Sequence, residues 1–229
     1  MTKIPVYFVP GLASSETIFE YIQLPEQFEC FYLSWDSPLP GESLRDYARR
    51  FSAKVKHPDP VLIGCSFGGI LVQEMKAFTE PRAVIVISSA KSYHEYPRRF
   101  RLARRTRLHK LMPVSLLVNI DRLHRYKFNK WINERLRLYR KYIGIRDKAY
   151  WNWAIEQVIM WNREKPDPEV IHIHGTDDEV FPARYISNFI PVPGGTHIMV
   201  INRFKWFNEH LPAIINKAIT EKNGANEKV

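Results

Sequence analysis

Residues 61–72 read VLIGCSFGGILV, and no other stretch constrains the fold as much. An apolar strand, Val61 to Ile63, runs into an apolar helix starting at Phe67, with Gly64, Ser66, Gly68 and Gly69 at the junction. A strand passing directly into a helix is the unit of parallel sheets, because parallel neighbours need a crossover and the helix supplies it. Gly64-Cys65-Ser66-Phe67-Gly68 also has the spacing G-x-S-x-G. A serine forced into so sharp a turn needs neighbours without a Cβ two residues before and after it. Its Oγ then points outward, above the carboxyl edge of the sheet.

The alternation extends along the chain. Ile4 to Val9 reads as a short strand ending in the loop Pro10-Gly11-Leu12, and Phe28 to Ser34 as a second strand. Ser43 opens a helix with Asp46 three residues on as a weak capping box, and Leu44, Ala48, Phe51 and Val55 recur at helical spacing. After Pro60 come the strand Val61–Gly64, the helix Phe67–Phe78 and the buried strand Ala83–Ile87. From Lys91 to about Asn162 no strand is expected and amphipathic helices take over. Ile132, Leu136, Tyr139 and Ile143 make one stripe there, opposite Lys130, Glu134, Arg137 and Lys141. Alternation resumes with Val170–Ile173, a short helix after Pro182, and the strand Phe189–Val192. A last helix carries Phe204, Phe207, Leu211, Ile214 and Ala218 on one face, and a polar tail frays from Thr220. Continuous apolar strands of this kind predict a mostly parallel sheet of about six strands covered by helices on both faces. At 229 residues the chain is expected to be one α/β domain, residues 1–229, with a helical insertion at about 91–162.

By composition alone, G-x-S-x-G arises in roughly 8 of 100 chains of this length, so its weight comes from its company. A serine hydroxyl is a weak nucleophile at neutral pH unless a base takes its proton, and imidazole suits that work. His197 is preferred among eight histidines because Pro193-Gly194-Gly195-Thr196-His197 follows the last strand directly, at the same carboxyl edge. The imidazole needs a carboxylate to fix its tautomer, and His174-Gly175-Thr176-Asp177-Asp178 supplies two acids after the preceding strand. Either aspartate meets that need. His172 and His174 share one strand face, as paired metal ligands sometimes do, but no third ligand accompanies them, so no metal is expected.

On GCSFGG, HGTDDEVFP, GGTH and the early PGL loop, the sequence resembles the α/β-hydrolase fold superfamily over most of the chain outside residues 91–162. The resemblance implies a serine hydrolase of esterase type, with Ser66 as nucleophile, His197 as base and Asp178 rather than Asp177 as the acid. It assigns an oxyanion hole to the backbone N–H groups of Phe67 and Leu12, and makes the insertion at about 91–162 a helical cap over the pocket. Pro10 stands where many relatives have His, and because proline lacks an N–H, the second donor must come from Leu12 or beyond. With the PGL loop arriving by residue 12, the two-stranded antiparallel start of larger relatives is not expected, which would expose a different sheet edge where a partner subunit could pack. An acyl thioesterase acting on acyl-CoA or an acyl carrier, and a catalytically silent binding module, are the competing readings. The chemistry implied needs no cofactor.

The net charge of +10 is unevenly placed: residues 91–148 hold 18 Lys and Arg against 4 Asp and Glu. The basic character therefore belongs to the insertion, where Arg98, Arg99, Arg101, Arg104, Arg105 and Arg107 crowd together. Such a segment serves an acidic acyl carrier or carboxylate substrate, an anionic membrane, or merely a solvated helix face. No nucleic-acid motif accompanies the charge, so a nucleic-acid partner is not expected. His94 and His109 fall in this segment and are expected to be solvated. Tyr150, Trp151, Trp153 and Trp161 at its exit either line an acyl pocket or belong to the core. Two widely separated cysteines, Cys30 and Cys65, form neither a disulfide framework nor a zinc motif, and no apolar run reaches the length of a membrane span, which favours a cytoplasmic chain. Lys3 with Ile4–Val9 and Ala13-Ser14-Ser15 faintly resembles a secretory signal, but Pro5 and Pro10 interrupt it and the strand reading retains the segment.

Overall fold

The apolar runs of the sequence become adjacent strands because only a sheet covered on both faces can bury them. The computed structural model describes residues 3–118, 137–138 and 140–226. Six strands, β1 (Ile4–Val9), β2 (Phe28–Tyr32), β3 (Val61–Cys65), β4 (Ala83–Ile87), β5 (Val170–Gly175) and β6 (Ile190–Val192), form one sheet in the order β2-β1-β3-β4-β5-β6. Every neighbouring pair is parallel. Side chains alternate across the pleat, so each strand feeds two cores. Leu62, Val84 and Val86 point into one, while Val61, Ile63, Ile85 and Ile87 point into the other.

The first core is roofed by α1 (Leu44–Ser52), α2 (Phe67–Thr79) and α5 (Lys148–Met160), which contribute Tyr47, Phe51, Ile70, Met75 and Tyr150. The second is closed by α6 (Met199–Asn202) and α7 (Phe204–Asn226), through Met199, Val200, Phe207, Leu211 and Ile215. The α1 cap forms as its sequence predicts: Ser43 Oγ accepts from Asp46 N–H at 3.2 Å and donates to Asp46 Oδ2 at 2.7 Å. The chain leaves β1 toward β2 on one side and later places β3 on the other. That reversal puts the carboxyl ends of β1 and β3 side by side at a topological switch point, where open α/β sheets bind ligands.

Several boundaries differ from expectation for identifiable reasons. β2 stops at Tyr32; Leu33 N–H still bonds Phe8 O at 2.9 Å, but Leu33 and Trp35 then enter the first core. β5 continues to Gly175, and β6 begins at Ile190. The helix after Pro182 is a single 3-10 turn, Ala183–Tyr185. The terminal helix does not fray at Thr220 but runs to Asn226, held by Lys222 Nζ donating to Pro81 O at 2.5 Å.

Between β4 and β5 the described residues form α3 (Arg98–Thr106), a 3-10 turn at Leu108–Leu111, α4 (Val114–Val118) and α5, with no strand among them. Ile143 makes an isolated antiparallel bridge to Ser14. The rest of the expected stripe, Ile132, Leu136 and Tyr139, lies outside the described residues, as do Lys130 and Glu134. No helix among the described residues is long and apolar enough to cross a membrane.

Candidate active site

Ser66 sits between β3 and α2 with φ 52° and ψ −116°, a conformation sparsely populated by residues with a side chain. The surroundings enforce it. Ser66 N–H donates to Ile87 O at 2.8 Å, and Ser89 Oγ donates to Ser66 O at 2.7 Å. A Cβ on Gly64 would lie 2.2 Å from Gly68 O, and one on Gly68 would lie 2.4 Å from Val9 O and Pro10 O, so no larger residue fits either position. The strain predicts a stability difference between two variants that both lose the hydroxyl. Ser66→Gly is expected to melt higher than Ser66→Ala by about 1 kcal/mol, since glycine relieves a backbone cost of about 1–3 kcal/mol and gives back part of it as unfolded-state entropy. Equal melting temperatures would mean that the elbow is unstrained.

The loops after β5 and β6 bring the other two groups to this hydroxyl. They lie in direct backbone contact, because a Cβ on Gly175 would fall 2.1 Å from Gly195 O, and Asp177 N–H donates to that same carbonyl at 2.9 Å. His197 Nε2 lies 3.0 Å from Ser66 Oγ and His197 Nδ1 lies 2.9 Å from Asp178 Oδ2. A carboxylate only accepts, so Nδ1 carries the proton and Nε2 presents its lone pair to the serine. Asp178 is buried, and its Oδ1 accepts from Val180 N–H at 2.8 Å and Phe181 N–H at 2.9 Å. Burial pushes the Asp178 carboxyl up. The hydrogen bond and charge of His197, the Phe181 N–H and His174 outweigh that push and hold it below the usual carboxylate value. The Asp177 carboxylate is exposed and, among the described residues, accepts only from Thr176 Oγ1 at 2.9 Å, so it is not joined to the imidazole.

Beneath Asp178, the two histidines that share one face of β5 form a hydrogen-bonded chain that their shared face alone does not predict. His174 Nε2 is 2.7 Å from Phe181 O and His174 Nδ1 is 3.0 Å from His172 Nε2. The carbonyl can only accept, so Nε2–H of neutral His174 donates to it. His174 Nδ1 must then accept from His172 Nε2–H, which leaves His172 Nδ1 a buried lone pair without a partner among the described residues. The pair ties β5 to the loop whose Phe181 N–H holds Asp178. The local signals are the i, i+2 spacing of the two histidines and the i, i+4 spacing of His174 and Asp178.

Burial lowers the pKa of His172 well below 6.5, with the charges of His174 and Lys91 adding to it, and burial likewise lowers that of His174. The folded pKa values thus lie below the unfolded one, so the unfolded chain binds protons that the folded chain refuses. The stability this confers is complete above about pH 6.5 and is lost as pH falls, by up to about 1.4 kcal/mol per pH unit for each group. Thermal melts between about pH 7.5 and 5.5 should show a shallower loss for His172→Gln than for the wild type. Identical slopes would contradict the neutral pair.

The first loop borders the elbow: a Cβ on Gly11 would stand 3.5 Å from Ser66 Cβ. Trp35 Nε1–H donates to Gly11 O at 2.9 Å, Tyr150 Oη accepts from Ala13 N–H at 3.4 Å, and Gly144 N–H donates to Ala13 O at 2.8 Å. Leu12 N–H finds no acceptor among the described residues, and Phe67 N–H, at the first position of α2, has none one turn earlier.

The remaining candidates resolve into structure. Cys65 is buried and its thiol is pushed up to about 12 by burial, with Asp178 adding to the shift, which suits a packing role. His94 is exposed as expected, but His109 is not solvated: it is buried, bonded to Glu156 and Ala103 O, because the turn after α3 folds it under. Tyr150, Trp151 and Trp161 belong to the first core, and Trp153 packs against it with Nε1–H on Glu42 O at 2.7 Å. Among the described residues, no cluster of three or more His, Cys, Asp or Glu is placed to hold a metal ion.

Comparison with known proteins extends this picture. A model of the alpha/beta hydrolase family matches residues 6–209. No curated protein sequence matches the chain. Among solved structures, a thermophilic esterase from Thermogutta terrifontis superposes with TM-score 0.65 at 16% identity, covering 95% of this chain and 91% of that one. A carboxylesterase from the thaumarchaeon Nitrososphaera gargenis gives TM-score 0.65 at 15% identity, with 96% and 92% covered. A hydrolase from Pseudomonas aeruginosa PA01 gives TM-score 0.64 at 13% identity, with 93% and 90% covered. At these identities the likeness is one of fold.

Proposed function

Because the chain belongs to the alpha/beta hydrolase family, we propose that it is a serine hydrolase cleaving a carboxylic ester through an acyl-enzyme on Ser66. The observation that carries this reading is the unbroken line Ser66 Oγ, His197 and Asp178, at 3.0 Å and 2.9 Å. His197 Nε2 takes the Ser66 proton as Oγ attacks the ester carbonyl, and the oxyanion accepts from the N–H groups of Phe67 and Leu12. The intermediate collapses, the C–O bond to the alcohol breaks, and His197 returns its proton to the leaving oxygen. Water then attacks the acyl-enzyme with His197 again as base, the bond from the acyl carbon to Ser66 Oγ breaks, and His197 returns the proton to Oγ as the acid leaves. Asp178 holds Nδ1–H in place and balances the imidazolium charge.

The segment at about 91–162 serves in this reading as the cap of a single domain. Its Gly144 and Ile145 N–H groups bind the first loop through Ala13 O, so it also buttresses the Leu12 donor. The described cysteines are free, consistent with a cytoplasmic setting. The chemistry calls for no cofactor. Esterases among the structural relatives favour an oxygen ester over a thioester. A turnover survey across nitrophenyl esters of increasing acyl length, run beside acyl-CoA substrates, tests the class. Turnover of one or more nitrophenyl esters exceeding that of every acyl-CoA supports it. Preference for the thioesters overturns the ester assignment, and no turnover at all by folded protein overturns the enzyme.

A further inference from the structure

Residues 98–112 contain seven Arg and Lys and no Asp or Glu, and the same short stretch exposes Leu102, Leu108, Leu111 and Met112. On α3, Arg98, Arg101, Leu102 and Arg105 recur at i, i+3, i+4 and i+7, and all four are exposed, so they form one outward face. Its other side is already engaged: Phe100 packs edge-on against Phe181 at 5.5 Å, and Arg104 donates to Trp161 O at 2.5 Å. The turn that follows folds His109 inward and leaves Leu108, Leu111 and Met112 at 52%, 78% and 44% exposure. Both α3 and this turn pack on α5, so their free faces look away from it.

Part of the charge is spent within the protein. Arg99 donates to Val180 O at 2.8 Å and to Glu179 O, and Arg107 and Lys110 share Glu156. Arg98, Arg101 and Arg105 have no acidic partner among the described residues. An ordinary solvated face mixes both signs of charge and hides most of its leucines. This one interleaves guanidinium groups that have no acidic partner among the described residues, Arg101 lying 5.8 Å over the Tyr185 ring, with large apolar side chains. It therefore fits a boundary that is anionic on its outside and hydrocarbon just beneath.

We propose that this face docks on an anionic lipid bilayer, with Arg98, Arg101 and Arg105 on lipid phosphates and Leu108, Leu111 and Met112 among the upper acyl chains. A nucleic acid would satisfy the arginines but has no use for the leucines. The docking does not depend on hydrolysis, although two ring contacts, Phe100 to Phe181 and Phe181 to His197 at 5.8 Å, link this face to the candidate site.

The test is cosedimentation of the full chain with vesicles of phosphatidylcholine alone or mixed with phosphatidylglycerol. Binding should appear on the mixed vesicles and weaken as salt is raised. The triple variant Arg98→Glu, Arg101→Glu, Arg105→Glu should lower the partition coefficient on the order of a hundredfold. The double variant Leu108→Ser, Leu111→Ser should lower it by more than about tenfold. Both should keep wild-type turnover of a water-soluble nitrophenyl ester, or wild-type melting temperatures if the chain has no such turnover. Equal binding to both vesicle types, or none to either, overturns the proposal. So does a leucine variant that binds as the wild type does, because the face would then be a general polyanion site.

Discussion

Replacing His197 with alanine is expected to lower kcat on a nitrophenyl ester by on the order of 10⁶-fold, about the loss found when a serine hydrolase is stripped of its general base. Ser66→Ala should fall to the same floor, and the double variant should fall no further, because hydroxyl and imidazole act as one unit. The His197 side chain is about a quarter exposed and contacts Asp178, Ser66 and the Phe181 ring at the rim of the fold, so its removal should leave the protein folded. Circular dichroism with the turnover assay separates lost chemistry from lost structure. A His197→Ala variant retaining a tenth of wild-type kcat would remove the imidazole from the reaction.

The second large effect belongs to Asp178→Asn, expected to lower kcat by roughly 10⁴-fold. The geometry supplies the reason. An asparagine carbonyl can replace Oδ1 and keep the bonds from Val180 and Phe181 N–H, while its amide then faces His197 Nδ1. Two donors cannot share that contact, so the imidazole flips tautomer and turns an N–H, not a lone pair, toward Ser66. Folding should survive the change, and ground-state binding should too, so KM moves far less than kcat. Asp177→Asn is expected to stay within a few-fold of wild type, since that carboxylate is exposed and bonded only to Thr176. A greater loss at Asp177 than at Asp178 would overturn the assignment.

What could be read from the chain, and what could not, divides along the range of the interaction. The strands were legible because a parallel sheet buried on both faces demands unbroken apolar runs, and Val61–Ile63 and Ala83–Ile87 are such runs. Ser66 and His197 were legible for a local reason, each lying in a glycine-marked loop immediately after a strand. Asp178 was separable from Asp177 only through resemblance, since burial, which distinguishes them, depends on how the loop at Gly175 meets the loop at Gly195. The His172 to His174 chain, with its tautomers set by Phe181 O, leaves no trace beyond spacing. The arginines of α3 were read as one basic run, yet partners 55 to 81 residues away decide which are spent within the protein. No periodicity within the helix carries that information.

Hydrolysis at Ser66 is tested most directly by a fluorophosphonate probe, which forms a stable phosphonyl ester only with a serine activated for attack. Incubation of the folded chain, followed by intact mass and peptide mapping, should show one adduct per chain at Ser66, absent from Ser66→Ala and strongly slowed in His197→Ala. Folded wild-type protein that stays unlabelled, or that labels equally well after Ser66→Ala, would contradict it.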